Sequence, residues 1–166
     1  MTQGSRIRWR IAFAFTFVVA GCAERATAQG LGVRTGMNVN PDQFSIGAQY
    51  ALPIADRLWF QPSGDAGFGD GATLVTLSSN VVYRRQMAPR SRWMAFAGGG
   101  PELNVYRVAG VHDTFAGATL FGGVQHSSGL FVQAARGFLD SPQFRLGVGY
   151  VMKPKRPGTK TAPRRH

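Results

Sequence analysis

The sequence is poor in cysteine and in lysine, and both shortages limit what the chain can be. Cys22 is the only cysteine among the 166 residues. A mature chain that begins after Ala28 holds none, which excludes disulfides, thiolate metal sites and a cysteine nucleophile. No lysine occurs between Met1 and Met152, and Glu102 is the only glutamate from position 29 onwards. Because soluble domains usually cover their surface with lysine and glutamate, this composition disfavours a water-facing surface.

The N-terminus has the pattern of an export signal. Arginines at positions 6, 8 and 10 precede an apolar segment at 11–20, which is shorter than the roughly 20 residues that a transmembrane helix needs. Ala26-Thr27-Ala28 is an A-x-A cleavage site, so the mature chain is expected to begin near Gln29. Val19-Ala20-Gly21-Cys22 resembles a lipoprotein box, and lipidation of Cys22 remains the alternative. Both alternatives export the chain.

The formal net charge of +11 lies mainly at the two ends of the chain. Residues 1–28 contribute +3, residues 29–152 contribute +2 and residues 153–166 contribute +6. The nearly neutral centre leaves no basic stripe for a nucleic acid. The last segment has three prolines and no large apolar side chain, so it is predicted to be disordered. Its charge could attract anionic cell-wall polymer or lipid headgroups. The sequence thus divides into a signal peptide (1–28), a folded domain (29–152) and a basic tail (153–166).

The folded domain alternates between apolar and polar residues with the period of a β-strand. The last segment shows it best: Phe144, Leu146, Val148 and Tyr150 lie on one face, and Arg145 lies on the other with two glycines. Similar segments separated by turn signals predict eight antiparallel strands of about 10 to 14 residues, close to the length of a tilted membrane strand. A bulge is expected at Pro62 and a bend or bulge within 98–101, and the facing of the fifth and sixth strands remains open.

Aromatic residues fall near both ends of the predicted strands. If the chain enters from the periplasm, the lower ends carry Tyr50, Phe60, Tyr83, Trp93, Phe131 and Tyr150. The upper ends carry Phe44, Phe68, Tyr106, Phe115, Phe138 and Phe144. Two girdles with small aliphatic residues between them are typical of a sheet that crosses both interfaces of a bilayer.

With its export signal, strand count, alternation and closing strand, the chain resembles the small eight-stranded outer-membrane β-barrels, the class of OmpX and the membrane domain of OmpA. The resemblance covers about residues 30–152 and implies an all-β, eight-stranded antiparallel up-and-down transmembrane barrel in the bacterial outer membrane. It implies outer-membrane lipid and lipopolysaccharide as surroundings, and recognition of the Phe144 to Tyr150 strand by the barrel assembly machinery. In one departure from the class, the sequence continues for 16 residues after Tyr150.

In such a barrel the polar faces of the strands point into the lumen. The expected inward cluster is Arg34, Gln49, Arg57, Asp65, Arg84 and Arg145, with Gln61 and Asn80 beside them, and it includes Glu102 if the register of the fifth strand allows. Eight strands enclose a space that side chains just fill, and buried charges persist when they are paired. The cluster is therefore interpreted as structural. Together with short outer loops, it favours a structural or envelope-integrity role for the protein, not a pore.

Alternation alone leaves a second class of protein open. A soluble barrel of lipocalin type would turn the same apolar faces inward around a small apolar ligand in the periplasm. Its polar faces would then meet water, although those faces carry few charges here.

One short motif suggests an enzyme. His126 and Ser128 have the His-x-Ser spacing of the outer-membrane lipid A deacylases, in which a histidine activates a serine and a carboxylate orients the histidine. Asp140 is the candidate acid. However, Gly129 replaces the asparagine that usually follows that serine, and the strand count puts His126 and Asp140 at opposite ends of the seventh strand. The motif is more simply a hairpin turn, so we predict no enzyme, no cofactor and no metal site.

Overall fold

The computed structural model describes residues 30–69, 71–108 and 111–152. The predicted signal peptide and the predicted basic tail lie outside these residues. Within them the chain forms strands only: β1 (Leu31–Val39), β2 (Gln43–Tyr50), β3 (Leu52–Ala55), β4 (Leu58–Gly69), β5 (Ala72–Gln86), β6 (Trp93–Val108), β7 (Val111–His126), β8 (Leu130–Leu139) and β9 (Phe144–Val151).

These strands close into a barrel. Each strand pairs antiparallel with its neighbours in the order β2-β1-β9-β8-β7-β6-β5-β4-β3, and a further β2–β4 pairing completes the ring. Because β2 and β3 share one position beside β4, the wall has eight strands. The predicted eight-stranded antiparallel up-and-down barrel is confirmed. We call the end that carries Gly30 and Met152 the termini end, and the opposite end the loop end.

Pro62 explains why β2 and β3 are separate. The β2–β4 pairing stops at Gln49↔Ser63 and resumes in the same register at Leu52↔Phe60, which puts Pro62 opposite the break. Proline has no N–H to donate to the ladder. The bulge predicted at Pro62 is wrong, because the register shift lies between Pro53 and Ala55.

The glycine-rich part of β6 also keeps its register. Pairing with β5 runs from Ser78↔Glu102 to Val81↔Gly99 without a shift, so no bulge forms there. A Cβ on Gly100 would lie 1.9 Å from the carbonyl oxygen of Ser79, so a side chain at this position would collide with β5. The glycines thus allow a close approach of the two backbones.

The apolar faces of the strands point away from the barrel axis. Ile46 is 55% exposed, Leu146 52% and Val132 48%, whereas polar side chains such as Asn80 and Asn104 are buried. A lipocalin-type arrangement requires the opposite facing, so that alternative is wrong. No helix in the described part of the chain is long and apolar enough to cross a membrane.

Most of the predicted girdle residues lie on the outer face, with three exceptions. At the termini end, Tyr83, Trp93 and Tyr150 are exposed. Phe131, in contrast, is 2% exposed and points into the lumen. At the loop end, Tyr106 and Phe115 follow the alternation of the inward residues of β6 and β7 and pack edge to face with centroids 5.9 Å apart. The prediction that these three belong to the girdles is wrong.

Candidate functional site

The lumen holds an ion pair between two strands that are not neighbours in sequence. Arg34 on β1 donates through Nε to Asp65 Oδ1 at 2.7 Å and pairs through Nη2 with Asp65 Oδ2. Two further donations from Arg34 go to Gln49 Oε1 at 3.2 Å and to Ser63 Oγ at 3.1 Å. The fork geometry of the guanidinium suits this arrangement, because it engages both carboxylate oxygens and two neutral acceptors.

A glycine makes room for this pair. Gly47 lies between Arg34 and Asp65 in the pairing of β1, β2 and β4. A Cβ at position 47 would lie 2.0 Å from Asp65 Oδ1. The space above Gly47 is therefore occupied by the aspartate carboxylate.

The polar network continues toward the termini end through amide side chains. Gln61 donates to Gln49 Oε1 at 3.3 Å, and Arg84 donates to Gln61 Oε1 at 2.9 Å. The guanidinium carbon of Arg84 lies 4.6 Å from the centroid of the Trp59 ring, within cation–π range. Arg84 thus joins the polar network to the aromatic residues described below.

A second ion pair spans β6 and β9. Arg145 donates to Glu102 Oε1 at 2.5 Å and to Thr119 Oγ1 at 2.8 Å. The side chain of Glu102 is 1% exposed and that of Arg145 is 15% exposed. An ionised carboxylate buried to this degree is retained only with a partner, so Arg145 is required where it lies.

An asparagine near the loop end ties the last turn to the wall. Asn104 accepts a hydrogen bond from Thr76 Oγ1 at 2.8 Å. Its amide nitrogen donates to the backbone oxygen of Asp140 at 3.0 Å and to Ser141 Oγ at 3.1 Å. The β8–β9 turn is thereby held across the mouth of the lumen.

Aromatic side chains fill the lumen toward the termini end. Val82, Phe121 and Ala135 form a buried cluster, and Trp59 and Phe96 pack against it. Ring centroids lie 6.4 Å apart for Phe96–Phe121 and 6.2 Å apart for Phe96–Phe131, with both pairs edge to face. We call Trp59, Val82, Phe96, Phe121, Phe131 and Ala135 the aromatic layer.

Little free volume remains between these layers. The cavity at the centre of the lumen measures about 30 Å³ and is lined in part by both ion pairs. Side chains therefore occupy most of the space at this level of the barrel.

Six of the seven residues predicted for the inward cluster lie in the lumen, and Arg57 does not. Arg57 lies in the β3–β4 turn with positive φ, and its exposed guanidinium lies 3.8 Å from Asp56. A hydrogen bond to Tyr83 raises its pKa. The strand alternation could not place it, because a turn residue has no face.

Sequence reasoning missed several lumen residues. Thr119 and Asn104 join the polar network, and the aromatic layer was not predicted at all. The alternation of β5 could have revealed Val82, since Asn80 and Arg84 flank it on the inward face.

The structure brings together only part of the suggested catalytic motif. His126 Nδ1 lies 2.9 Å from Ser128 Oγ at an exposed turn, and it also accepts the backbone N–H of Ser128 at 3.2 Å. Asp140 lies in the turn after β8, at the opposite end of the barrel. The histidine packs against Trp93 instead, with ring centroids 4.9 Å apart. Among the described residues, no group of three or more histidine, cysteine, aspartate or glutamate side chains could hold a metal ion.

Two solved structures have a similar fold. The N-terminal β-barrel domain of Pseudomonas aeruginosa OprF superposes with a TM-score of 0.55 at 12% identity and covers 75% of this chain and 98% of that one. Neisserial surface protein A (NspA) superposes with a TM-score of 0.58 at 14% identity and covers 75% of this chain and 94% of that one. The chain has the fold of the small outer-membrane β-barrels. No family model and no curated protein sequence matches it.

The small outer-membrane barrel fold accounts for both faces of the wall. Barrels with this fold present apolar residues to lipid, and the alternation of each strand turns the remaining residues to the lumen. In this chain β1 and β2 turn mainly apolar residues outward and polar or glycine residues inward, whereas β4 and β5 also turn Trp59 and Val82 to the lumen.

Proposed function

We propose that this protein spans the bacterial outer membrane as a closed barrel with a structural or envelope-integrity role, and that it is not a pore. The observation that carries the proposal is the combination of an apolar outer face with a lumen filled by ion pairs and aromatic rings. The likeness to the OprF and NspA barrels supports the same location.

Exposure of the apolar outer face to water would be energetically unfavourable. Large aliphatic and aromatic side chains on most strands are about half exposed. At the termini end these outward side chains include Trp93 and Tyr150. Exposed apolar area on this scale marks an interaction surface, and a belt around a closed barrel fits lipid.

The filled lumen argues against transport. An aqueous channel needs a continuous wet path, and eight-stranded barrels have an interior just wide enough for side chains. Here the paired Arg34–Asp65 and Arg145–Glu102 side chains and the aromatic layer occupy that interior. The central cavity of about 30 Å³ is too small to hold a nutrient or an antibiotic.

Membrane fractionation combined with a heat-dependent gel shift tests the location. A membrane barrel should be recovered with outer membranes and should migrate faster before boiling than after it, because the closed barrel resists detergent at room temperature. Recovery of the unboiled protein as a soluble periplasmic monomer would contradict the proposal.

Solute flux into reconstituted vesicles tests the closed lumen. Vesicles that contain this protein should retain a small sugar as well as protein-free vesicles do, while vesicles that contain a porin should release it. Release at the rate seen with the porin would show that the lumen opens.

We also propose that the chain is not an enzyme, since Asp140 lies away from the His126–Ser128 pair. Ser128→Ala should leave lipid A acylation unchanged in a membrane assay. A loss of released acyl chain in that variant would show that the pair is catalytic without Asp140.

The proposed surroundings are outer-membrane lipid and lipopolysaccharide, with the barrel assembly machinery acting on the Phe144 to Tyr150 strand. That strand pairs with both β1 and β8, so its placement closes the barrel. Changing Tyr150 to serine should lower the fraction of chains that reach the heat-modifiable form in cells.

A further inference from the structure

The charge at the two ends of the barrel is unequal. At the termini end, the exposed charged residues that the structure describes are Arg57, Arg85, Arg90, Arg92 and Asp56, which gives +3. Toward the loop end they are Asp42, Asp113, Asp140, Arg107 and Arg136, which gives −1. We call Arg57, Arg85, Arg90 and Arg92 the basic rim.

Backbone hydrogen bonds tie the turns that carry the basic rim to neighbouring strands. The N–H of Arg84 donates to the carbonyl of Arg57 at 2.9 Å, which joins the β3–β4 turn to the end of β5. The N–H of Ser127 donates to the carbonyl of Arg92 at 2.7 Å, which joins the β5–β6 turn to the β7–β8 turn. Arg57 therefore lies beside the end of β5 that carries Arg85. Arg90 and Arg92 lie in the β5–β6 turn that follows.

The basic rim has little internal neutralisation. Asp56 lies 3.8 Å from Arg57, and both side chains are well exposed, so water screens this pair. Within the described residues, Arg85, Arg90 and Arg92 form no ion pair. Their charge is available to a partner.

Two of the arginines occupy backbone positions that do not suit them. Arg90 has φ of 69° and Arg57 has φ of 64°. In the turn Ala88-Pro89-Arg90-Ser91, closed by a Ser91 N–H to Ala88 carbonyl bond of 2.9 Å, Arg90 follows proline at the place where glycine or asparagine is usual. Arg57 has a hydrogen bond to Tyr83 that offsets this strain, whereas Arg90 forms no ion pair among the described residues, so the strain at Arg90 points to a function for its side chain.

Apolar side chains between the arginines indicate what the partner is. Met87 is 61% exposed and Trp93 45%, and both lie beside the arginines of the β5–β6 turn. Tryptophan is common at the interface of a bilayer, and arginine side chains there extend their charged ends toward headgroup phosphates. A hydrophilic glycan polymer would leave Met87 and Trp93 uncovered, whereas a lipid surface covers them.

We propose that the basic rim binds the phosphate headgroups of anionic phospholipids in the leaflet that surrounds the termini end. The inference rests on the proposed function, because it requires the barrel to span a bilayer. The loop end has the opposite charge balance, so the preference should exist at one end of the barrel only.

Lipid selectivity of the full-length protein tests this inference. The protein is reconstituted in phosphatidylcholine vesicles that contain spin-labelled phosphatidylglycerol or spin-labelled phosphatidylcholine, and the fraction of label immobilised at the protein is compared. Phosphatidylglycerol should be preferred about fivefold at low salt, the effect of one basic residue near a charged surface. The preference should fall toward one at about 1 M salt, where the Debye length is roughly 3 Å.

Matched variants assign the preference to the rim. The double variant Arg85→Gln with Arg92→Gln should lose most of the phosphatidylglycerol preference. The double variant Arg107→Gln with Arg136→Gln removes two positive charges toward the loop end instead, and it should retain the preference. A full-length variant with the six basic residues of 153–166 changed to glutamine should also retain it. If the loop-end pair or the tail variant abolishes the preference, the basic rim is not the binding surface.

Arg90→Gly separates binding from structural support. It should leave the barrel no less stable than the wild type in urea and still lower the phosphatidylglycerol preference, whereas a structural arginine would show a clear loss of stability.

The heat-dependent gel shift, run on the same samples, monitors insertion. Failure to insert would overturn the proposed function together with this inference, while normal insertion with equal preference for both lipids would overturn the basic rim alone. Equal lipid preference combined with binding of cell-wall fragments would identify a glycan partner instead.

Discussion

The lumen is filled in two different ways along its length. Toward the termini end, aromatic rings occupy the space by shape, with Phe131 placed over the glycine at position 149. Toward the middle, two ion pairs occupy it by charge, and each member depends on its partner. Filling by shape tolerates substitutions of similar volume, whereas filling by charge fails when one partner is removed. The two layers should therefore respond differently to similar changes.

Phe131→Ala should produce the largest loss of stability. Removing a ring that is 2% exposed leaves a cavity beside Phe96, and a buried Phe→Ala change costs about 3 to 5 kcal/mol. The urea dependence of the heat-modifiable form measures the loss. Phe131→Leu should cost much less, because the aromatic layer is predicted to depend on volume. Equal losses in the two variants would contradict filling by shape.

Glu102→Gln should destabilise the ion-pair layer by about 3 kcal/mol, because breaking a buried pair leaves Arg145 without its counter-charge. Unlike Phe131→Leu, this substitution hardly changes the side-chain volume. The double variant Glu102→Gln with Arg145→Gln should recover part of the loss in the same urea experiment. If the double variant loses as much free energy of unfolding as the two single variants together, the two residues do not act as a pair.

Gly149→Ala should cost about 1 to 3 kcal/mol, the usual range for overpacking. Its Cβ would lie 2.3 Å from Phe131 Cζ and 2.5 Å from the carbonyl oxygen of Val33. Combining it with Phe131→Leu should reduce the additional loss, since one of the two collisions disappears. No reduction would show that the backbone contact with Val33 sets the cost.

Ser128→Ala should have the smallest effect, within about 0.5 kcal/mol, because the side chain is exposed and outside both layers. Thermal unfolding of the purified barrel measures it. A loss above about 1 kcal/mol would show that the His126–Ser128 hydrogen bond holds the β7–β8 turn more strongly than an exposed bond is expected to.

The sequence predicted the wall of the barrel better than its contents. Alternation in β9 placed Leu146 and Arg145 on opposite faces, because a strand allows only two directions. It failed for Arg57, which lies in a turn. The partner of Glu102 could not be predicted either, since Arg145 is 43 positions away and meets it only through the stagger of the closed barrel.

Phe131 was assigned to the wrong face for a related reason. It lies at the second position of β8, where too few preceding residues establish the alternation. Glycine at position 149 on the adjacent strand was the available signal, because a large ring next to a glycine fills the space that the missing side chain leaves. That signal requires the strand register, which the structure supplies.

Accessibility of single spin labels along the wall tests the central claim most directly. In a Cys22→Ser background, one cysteine at a time is placed at Leu146, Val148 or Gln133 and labelled in the reconstituted barrel. Labels at Leu146 and Val148 should be accessible to lipid-soluble oxygen and shielded from a water-soluble nickel complex, and a label at Gln133 should be immobilised and shielded from oxygen. Labels at Leu146 and Val148 that meet the nickel complex and not oxygen would contradict the account, because the apolar face would then lie in water.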